Sequence, residues 1–413
     1  MSEELKKSSF GLIPLNWEEV KLNEVVERVV KKNKNNESNN VLTISAQDGL
    51  VNQKTFFNKL VASKNLSGYY LLEKGDFAYN KSYSKGYPFG AIKPLELYDD
   101  GVVSTLYICF RAKDKVDNDF LKYYFESDLW HIEVSQIAQE GGRSHGLLNV
   151  SVKEFFEILF LMPSKKEQQK IAEILSTVDT QIEQTKLLIE KTKDLKKGLM
   201  QQLLTKGIEH TEFKTSKLGM IPVDWEESNF KKYTKVNQGL QIPIEKRFLE
   251  NADGRYFYIT NQFLKKDGEK YFIENPQSSV ICNSDDILMT RTGNTGIVVT
   301  GVTGVFHNNF FKIDFNRNKF DKMYLVYYLR SHMINKIIMN YAGSTTIPDL
   351  NHSDFYRIPL LVPPIQEQQK IAEILSIVDA EIEGYEQEKA KYEELKKGLM
   401  QQLLTGKIRV MIN

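Results

Sequence analysis

Basic, aromatic and amide side chains cluster in two short stretches of the sequence that could bind an anion or another polar ligand. In the first, Tyr79, Lys81, Tyr83, Lys85 and Tyr87 alternate with a period of two, which predicts a strand with one basic, aromatic face. In the second, residues 291–296 read Arg-Thr-Gly-Asn-Thr-Gly, a glycine turn that carries an arginine and an asparagine. An ordinary half-exposed strand and a polar hairpin turn would give the same patterns, so both interpretations stay open.

The sequence lacks the motifs of common catalytic and cofactor sites. It has no G-x-x-x-x-G-K-[ST] phosphate loop, no H-E-x-x-H and no G-x-G-x-x-G after a strand. It also lacks the Asn-Pro-Pro-aromatic tetrapeptide with which an amino-methylating enzyme would hold a flipped base. Cys109 and Cys282 match no metal spacing and fit a reducing compartment. We therefore predict a non-enzyme with no catalytic residue, metal site or cofactor on this chain. The six histidines are scattered (His131, His145, His210, His307, His332 and His352).

A stretch of 39 residues occurs twice, at 167–205 and again at 367–405, with 26 identities between the copies. Apolar residues recur in alternating steps of three and four, which predicts one long helix in each copy. Ser164 and Glu167 have the spacing of a capping box, and Gly207 and Gly406 follow the two copies as stop signals. At 1.5 Å per residue such a helix would be about 57 Å long, which is typical of a coiled coil.

The charges favour an antiparallel arrangement of these two helices. Parallel copies in register would place identical charges opposite each other, such as Glu173 opposite Glu373 and Lys196 opposite Lys396. Reversing one helix brings the acidic early half of the second copy toward the basic late half of the first. Each exposed pair contributes only about 0.3–0.5 kcal/mol, so the charges set orientation and not stability.

Polar residues away from the apolar seam are also identical in the two copies. A coiled coil that only dimerises needs apolar character along its seam, so that simpler interpretation does not explain the polar identities. Two copies of one exposed surface predict two equivalent partner-docking sites. The candidate docking residues are Gln168, Gln169, Lys197 and Gln201 in the first copy and Gln368, Gln369, Lys397 and Gln401 in the second.

Each long helix closes a larger repeated unit. The opener Gly11-Leu-Ile-Pro-Leu-Asn-Trp17 recurs as Gly219-Met-Ile-Pro-Val-Asp-Trp225, and a variable domain follows each opener. Lys81 and Arg291 each lie five residues after an equivalent aspartate, so a common frame carries different loops. The predicted boundaries are a first variable domain at 1–163, a central helix at 164–205, a linker at 206–218, a second variable domain at 219–363, and a C-terminal helix and tail at 364–413.

The variable domains alternate predicted strands and short helices. In the first domain we expect strands at 41–45, 102–111 and 155–163 and a helix at 119–127. The second domain repeats the helix at 324–331 and the last strand at 355–363. The predicted fold is α+β: two α/β domains separated by two long helices, which form an antiparallel intramolecular coiled coil in a pseudo-twofold tandem repeat.

The overall charge is nearly balanced, with 55 basic and 54 acidic residues and a net charge of +1. Any contact with a polyanion must therefore depend on local charge. The first residues include no apolar signal core, and no apolar run is long enough to span a membrane. We expect a cytoplasmic protein.

The paired openers, variable domains and helices of the EQQKIAEIL…LKKGLMQQLLT type resemble the specificity subunits of type I restriction-modification enzymes. The resemblance covers nearly the whole chain. It implies that each variable domain is a target-recognition domain reading one half of a split, asymmetric DNA site, and that the helices form a spacer setting the gap. It also implies two docked methyltransferase subunits that use S-adenosylmethionine to methylate adenine N6. A separate restriction and translocase subunit would use ATP and Mg.

In that context the two polar stretches are candidates for the DNA face of each domain. Arginine can fork onto guanine and asparagine onto adenine, whereas lysine, serine and threonine more often hold phosphate. Two other interpretations stay open: a scaffold with two protein-binding heads, and a single-chain enzyme, which the missing motifs disfavour. The candidate DNA-binding residues are Lys81, Tyr83, Lys85, Arg143 and Ser144 in the first domain and Arg291, Thr292, Asn294, Ser344 and Thr345 in the second.

Overall fold

The computed structural model describes residues 4–45, 48–57, 65–82, 86–140, 148–265, 268–343 and 347–412. The chain divides into two units, one made of Met1–Thr185 with Glu388–Asn413 and the other of Lys186–Gln387. Each unit therefore contains one variable domain, the first half of the helix that follows it and the second half of the other long helix.

The first unit contains fourteen described strands and the start of a long helix. Its helices are α1 (Leu22–Val25), α2 (Gln53–Phe57), α3 (Asn118–Glu126), α4 (Leu129–Ile137), α5 (Val152–Glu157) and α6 (Lys165–Lys206), of which residues 165–185 belong to this unit. Its strands are β1 (Leu5–Ser8), β2 (Gly11–Pro14), β3 (Glu18–Lys21), β4 (Val26–Arg28), β5 (Leu42–Ser45), β6 (Gly49–Asn52), β7 (Tyr70–Glu73), β8 (Phe77–Asn80), β9 (Ala91–Pro94), β10 (Asp100–Val103), β11 (Ile108–Ala112), β12 (Gln139–Glu140), β13 (Leu148–Asn149) and β14 (Leu159–Met162).

The second unit repeats this order with different loops. Its helices are α7 (Phe230–Tyr233), α8 (Lys322–Arg330), α9 (His332–Ala342), α10 (His352–Arg357) and α11 (Ile365–Leu403), whose last turns belong to the first unit. Its strands are β15 (Phe213–Ser216), β16 (Gly219–Pro222), β17 (Glu226–Asn229), β18 (Thr234–Gln238), β19 (Arg255–Ile259), β20 (Tyr271–Glu274), β21 (Ile281–Cys282), β22 (Ile287–Thr290), β23 (Val298–Val299), β24 (Gly304–Phe306), β25 (Phe310–Phe315) and β26 (Pro359–Val362).

The two units share the same sheets around the start of their long helix. An antiparallel sheet has the order β4-β11-β8-β9 in the first unit and β18-β25-β22-β23 in the second. The strand after each opener pairs with the strand before each long helix, β3 with β14 and β17 with β26. The opener tryptophans, Trp17 and Trp225, are completely buried in the cores beneath. The tandem repeat expected from the sequence is confirmed.

A second sheet is repeated as well. In the second unit it has the order β20-β19-β24-β21, in which β19 and β24 are parallel. In the first unit the pairs β5-β6 and β7-β10 are joined by a parallel bridge between Val41 and Val102, which gives the equivalent order β6-β5-β10-β7. The units differ in the segments that join these strands: α2 lies between β6 and β7, whereas a short segment joins β20 to β21.

Three predicted strands, 102–111, 155–163 and 355–363, were wrong in extent. Residues 102–111 form β10 and β11 separated by a turn, which the backbone N–H of Tyr107 closes by donating to Ser104 O at 3.1 Å. Residues 155–163 begin in α5, because the Ser151 hydroxyl accepts the backbone N–H of Glu154 at 3.2 Å and caps a short helix. Asn351 caps α10 in the same way, at 2.9 Å from Asp354 N.

The long helices run antiparallel within each unit, as the charges predicted. In the second unit Lys193 pairs with Glu386 and Lys196 with Asp379, so residue numbers rise along α6 as they fall along α11. Lys396 pairs with Asp179 in the first unit. Gly207 and Gly406 follow the two helices with positive φ values of 68° and 69°, as the stop signals predicted.

The apolar repeat that predicts α6 runs through Ile171, Leu175, Val178 and Leu195, and it deviates from the buried positions in the second half of the helix. Ile171, Leu175 and Val178 are buried as expected, but Leu195 is 55% exposed. Thr185 and Thr192 are buried instead, so the seam continues through polar side chains. Leu395, the equivalent of Leu195, is also exposed. Each copy therefore carries an apolar side chain on an open helix face.

Candidate functional site

A buried carboxylate at the start of each long helix links three separate parts of its unit. Glu167 accepts a hydrogen bond from Trp17 Nε1 at 3.1 Å and is paired with Arg409 Nε at 2.8 Å. In the second unit Glu367 accepts from Trp225 Nε1 at 2.9 Å and from the backbone N–H of Ile208 at 2.9 Å. Each carboxylate thereby joins its opener to the segment that follows the other long helix.

Gln168 and Gln368, two of the predicted docking residues, do not lie on an exposed surface. Their side chains are completely buried. The Gln168 amide accepts from Asp117 N at 2.7 Å and donates to Pro163 O at 2.9 Å. Gln368 accepts from Asp321 N at 3.0 Å and donates to Pro363 O at 2.9 Å. Their identity between the copies reflects a shared internal contact, and not exposure to a partner.

The other six predicted docking residues are exposed on the long helices. They are Gln169, Lys197, Gln201, Gln369, Lys397 and Gln401. Lys197 and Gln201 line a cavity of about 780 Å³ in the second unit, together with methionine and leucine side chains. Leu187 and Leu188 add exposed apolar surface to α6 in the same unit. These residues form a mixed apolar and polar surface of the kind that binds proteins.

Equivalent ion pairs join the two long helices in each unit. The aspartate of each pair also accepts a hydrogen bond from a tyrosine of the short helix α8 or α3. Lys196 pairs with Asp379, which also accepts from the Tyr327 hydroxyl at 2.8 Å. Burial, together with the Asp379 carboxylate, raises the pKa of Tyr327 to about 12. Lys396 makes the matching contact with Asp179 at 2.7 Å, and Asp179 accepts from Tyr123 at 2.9 Å.

The first unit adds a second carboxylate to this network. Glu126, at the end of α3, accepts from Lys396 at 2.9 Å and lies 3.5 Å from Lys93 Nζ. Burial opposes ionisation of Glu126, but Lys93 and Lys396 hold its pKa below the ordinary value. Burial likewise opposes the charge on Lys396, and Glu126 and Asp179 raise its pKa above the ordinary value. Lys396 and Glu126 therefore remain charged at neutral pH.

Lys81 and Arg291, the predicted DNA-binding residues at equivalent positions, make equivalent contacts inside their own domains. Lys81 Nζ donates to Val150 O at 3.0 Å. Arg291 Nε donates to Leu350 O at 3.2 Å. Lys81 thereby holds the end of β8 to the segment before α5, and Arg291 holds the end of β22 to the segment before α10. Burial lowers the pKa of Lys81.

Arg291 is also neutralised by a carboxylate that the sequence did not bring to attention. Its Nη2 lies 2.8 Å from Asp349 Oδ2, and the side chain is only 17% exposed. The Thr292 hydroxyl donates to the other oxygen of Asp349. The Thr295 hydroxyl donates to Pro348 O at 2.7 Å. Residues 291–295 are thereby clamped to residues 348–350, and Arg291 serves this clamp.

Asn294 is the predicted DNA-binding residue that the clamp leaves exposed. Its side chain lies at the tip of the turn between β22 and β23, and its backbone carbonyl accepts from the Thr290 hydroxyl. Gly293 and Gly296 flank it with φ values of 85° and 89°. Tyr83, Lys85, Arg143, Ser144, Ser344 and Thr345 lie outside the described residues.

Metal-binding clusters and reactive thiols are absent from the described part of the chain. Across those residues, no cluster of three His, Cys, Asp or Glu side chains could hold a metal ion. Burial raises the pKa of the Cys109 thiol to about 12 and that of Cys282 to about 11, so neither is a reactive thiolate at neutral pH. Over the same residues, no helix combines the length and the apolar character needed to cross a membrane.

Comparison with known proteins identifies the family of this doubled arrangement. The family model of the type I restriction modification DNA specificity domain matches residues 14–192 and 222–394. The chain belongs to the type I restriction-modification specificity subunits. It is thus a specificity subunit with two DNA-recognition domains, and not one of the catalytic subunits.

Relatives match along most of the chain. The MjaVIII specificity subunit of Methanocaldococcus jannaschii is 31% identical over 328 residues, covering 75% of each protein. The MjaX specificity subunit of the same organism is 27% identical and covers 99% of this chain and 97% of its own. The EcoDI specificity subunit of Escherichia coli is 20% identical and covers 88% of this chain and 81% of its own.

Two solved structures have the same fold. One comes from a study of complex assembly and conformational transition of the type I R-M system, with a TM-score of 0.57 and 17% identity over 96% of this chain and 99% of its own. The other is the S subunit of a type I restriction-modification system from M. genitalium, with a TM-score of 0.55 and 16% identity over 98% of this chain and 99% of its own.

Proposed function

We propose that the two recognition domains each read one half of a bipartite, asymmetric DNA site. The observation that carries this proposal is the pairing of one conserved frame with two different sets of loops. The sheets β4-β11-β8-β9 and β18-β25-β22-β23 match, and so do the pairings of the second sheet, whereas the segments that join the strands differ between the units. One frame presenting different loops suits two readers of different base sequences.

Asn294 is the strongest candidate for a base contact in the second domain. An exposed asparagine on a rigid turn can present its amide to the N6 and N7 edge of adenine. Arg291 and Thr292 support that turn through Asp349. Ser344 and Thr345 in the second domain and Tyr83, Lys85, Arg143 and Ser144 in the first stay proposed DNA contacts on the basis of the sequence. Lys81 and Arg291 act by positioning the ends of the strands that their side chains hold to Val150 and Leu350.

The long helices dock two methyltransferase subunits. The exposed residues Gln169, Lys197 and Gln201, with their copies Gln369, Lys397 and Gln401, provide two related surfaces for this contact. The docked subunits bind S-adenosylmethionine and methylate adenine N6. Restriction and translocase subunits join through the methyltransferase–specificity core and use ATP and Mg. This chain contributes DNA specificity and the platform for assembly.

The same helices set the gap between the two half-sites. Duplex DNA advances about 3.4 Å per base pair, so a change in helix length converts into a change in gap. Inserting seven residues at matching points of α6 and α11 should lengthen the gap and leave both half-sites unchanged. Long-read methylome sequencing of cells that express the variant with its methyltransferase gives the gap and the sequence of each half-site. An unchanged gap would contradict the spacer role.

A further inference from the structure

The cavity in the second unit combines an apolar floor with a basic rim. Its floor includes Met200, Leu204, Leu218, Met220 and Met333. Methionine side chains are flexible and polarisable, so such floors accommodate apolar groups of varied shape. The rim carries Lys193, Lys196, Lys197, Lys206 and Arg330, with His332 beside them. We call this cavity and its rim the basic groove.

Only part of the charge on this rim is neutralised within the unit. Lys193 is paired with Glu386 and Lys196 with Asp379. Arg330 donates to the carbonyl of Val298 at 2.9 Å, which leaves its charge uncompensated. Among the described residues, Lys197 and Lys206 are paired with no carboxylate. Three positive charges therefore surround an apolar floor.

The tandem repeat provides an internal comparison, because the groove residues have equivalents in the first unit, although Lys206 corresponds to Gly406, which Lys407 follows. The apolar floor is kept there as Met400, Leu404, Phe10, Leu12 and Leu129. The rim is changed at three positions from a basic to an acidic residue. Glu393 occupies the position equivalent to Lys193, Glu126 that of Arg330 and Asp128 that of His332.

These three exchanges lower the positive charge of the equivalent rim in the first unit. Glu126 pairs with Lys396 and Lys93, and Glu393 pairs with Lys389 at 2.6 Å. Asp128 is exposed and lies 3.1 Å from His131. Among the described residues, Lys397 is paired with no carboxylate, as is its equivalent Lys197. The two copies of the helix surface are alike in their apolar residues, and the first copy carries less positive charge around them.

We propose that the basic groove binds an acidic segment with apolar side chains from one methyltransferase subunit, more tightly than the equivalent surface of the first unit does. The proposal rests on the docking function above, since Lys197 and Gln201 of that docking surface line the groove. Charge complementarity identifies the occupant: three unpaired cations favour carboxylates, and the floor favours the apolar side chains between them. Two identical methyltransferase subunits then occupy unequal positions, and the second unit fills first.

The test is a titration of the whole specificity chain with the methyltransferase subunit encoded beside it, followed by native mass spectrometry and calorimetry at low and high salt. The wild-type chain should bind in two steps of different affinity, and the tighter step should weaken more as salt rises. The double variant Lys193→Glu with His332→Asp should weaken the tighter step roughly tenfold and leave the weaker step unchanged.

The reciprocal double variant, Glu393→Lys with Asp128→His, provides a gain of binding that misfolding cannot imitate. It should strengthen the weaker step until the two affinities are nearly equal. Lys197→Glu and Lys397→Glu form a matched pair, which should weaken the tighter and the weaker step respectively. Neither double variant touches the buried Glu126 or the Arg330 contact with Val298.

Three results would overturn the proposal. Two equal steps in the wild-type chain would remove the inequality while leaving methyltransferase docking intact. A wild-type chain that binds no methyltransferase subunit would contradict the docking function and this inference together. A groove variant that loses binding of a short DNA duplex, with methyltransferase binding unchanged, would assign the basic groove to nucleic acid.

Discussion

Trp17 and Glu167 are 150 residues apart in the sequence and are joined by a buried hydrogen bond of 3.1 Å. Trp225 and Glu367 repeat the contact at 2.9 Å. Each glutamate also contacts the segment that follows the opposite long helix, through Arg409 or through Ile208 and His210. One carboxylate in each unit therefore holds the opener, the start of one helix and the end of the other.

Replacing Glu167 by glutamine should destabilise the chain substantially. The substitution keeps the size of the side chain but removes the charge that compensates Arg409, so we expect a loss of about 2–3 kcal/mol in the free energy of unfolding. Urea unfolding measures this loss. The matched control is Glu173→Gln, since Glu173 is exposed and pairs only with Lys170 on the same helix. That control should cost less than about 0.5 kcal/mol, and equal losses would contradict the role assigned to Glu167.

The pair of Arg291 and Asp349 distinguishes a positioning role from a direct contact with DNA. If Arg291 holds the turn, Arg291→Ala and Asp349→Asn should both relax recognition of the same half-site, because either change releases residues 291–295 from residues 348–350. The other half-site should stay intact. Methylome sequencing with each variant reads both half-sites at once.

Asn294→Ala supplies the contrast to those two variants. It should relax a single base position and leave the unfolding free energy unchanged, because its side chain is exposed. A full half-site retained in Asp349→Asn but lost in Arg291→Ala would show that Arg291 touches DNA itself. Weakening of all sequences alike would indicate a phosphate contact.

The sequence predicted the repeated elements well because their signals are local. Helical periodicity, stop glycines and reversed charge identified α6 and α11 and their antiparallel orientation. The sequence-based prediction of exposure failed for polar residues that are identical in the two copies because they make the same buried contact. Gln168 and Gln368 looked like exposed docking residues, yet they bind the turns that precede α3 and α8. Polar identity alone does not separate a shared internal contact from a shared surface.

Contacts between distant residues could not be predicted from the sequence. The pairing of Arg291 with Asp349 is one example, because the two residues lie 58 positions apart and no spacing rule joins them. The contacts of Glu167 with Trp17 and of Glu367 with Trp225 could have been predicted, since both the glutamate and the opener tryptophan are repeated in the two units. The caps at Ser151 and Asn351 were hidden by the apolar run that follows them.

Lys196 and Lys396 are equivalent lysines that pair the two long helices, and their replacement should lower the free energy of unfolding by different amounts. Lys396→Met leaves Asp179 without a cation and Glu126 with Lys93 alone, inside a largely buried cluster, so we expect a loss of about 3 kcal/mol. Lys196→Met removes one partner of the more exposed Asp379, which keeps its bond from Tyr327, and should cost about 1 kcal/mol. Urea unfolding of both variants checks the order, and a larger loss for Lys196→Met would contradict it.

His307 should make the second unit less stable in acid. Burial, with a smaller contribution from Arg247, lowers its pKa from 6.5 to about 4, and its Nδ1 accepts the backbone N–H of Asn309 at 3.1 Å. The unfolded chain therefore takes up a proton on His307 before the folded chain does. Stability is lost as the pH falls from 6.5 toward 4, with no further loss from this group below that range.

Urea unfolding across this pH range tests the assignment. His307→Asn should lose less stability on acidification than the wild-type chain, because the titrating ring is gone. His332→Asn, a change to an exposed histidine of the same unit, controls for the loss of a histidine in general. Parallel curves for the wild-type chain and His307→Asn would show that His307 does not carry the acid sensitivity.

The specificity role of this chain is tested most directly by long-read methylome sequencing of cells that express this chain with the neighbouring methyltransferase gene, beside cells that express the methyltransferase alone. We predict a split, asymmetric, adenine-methylated motif that appears only when the chain is present. A stable complex of the two proteins that produces no such motif, or the same motif in cells without the chain, would contradict it.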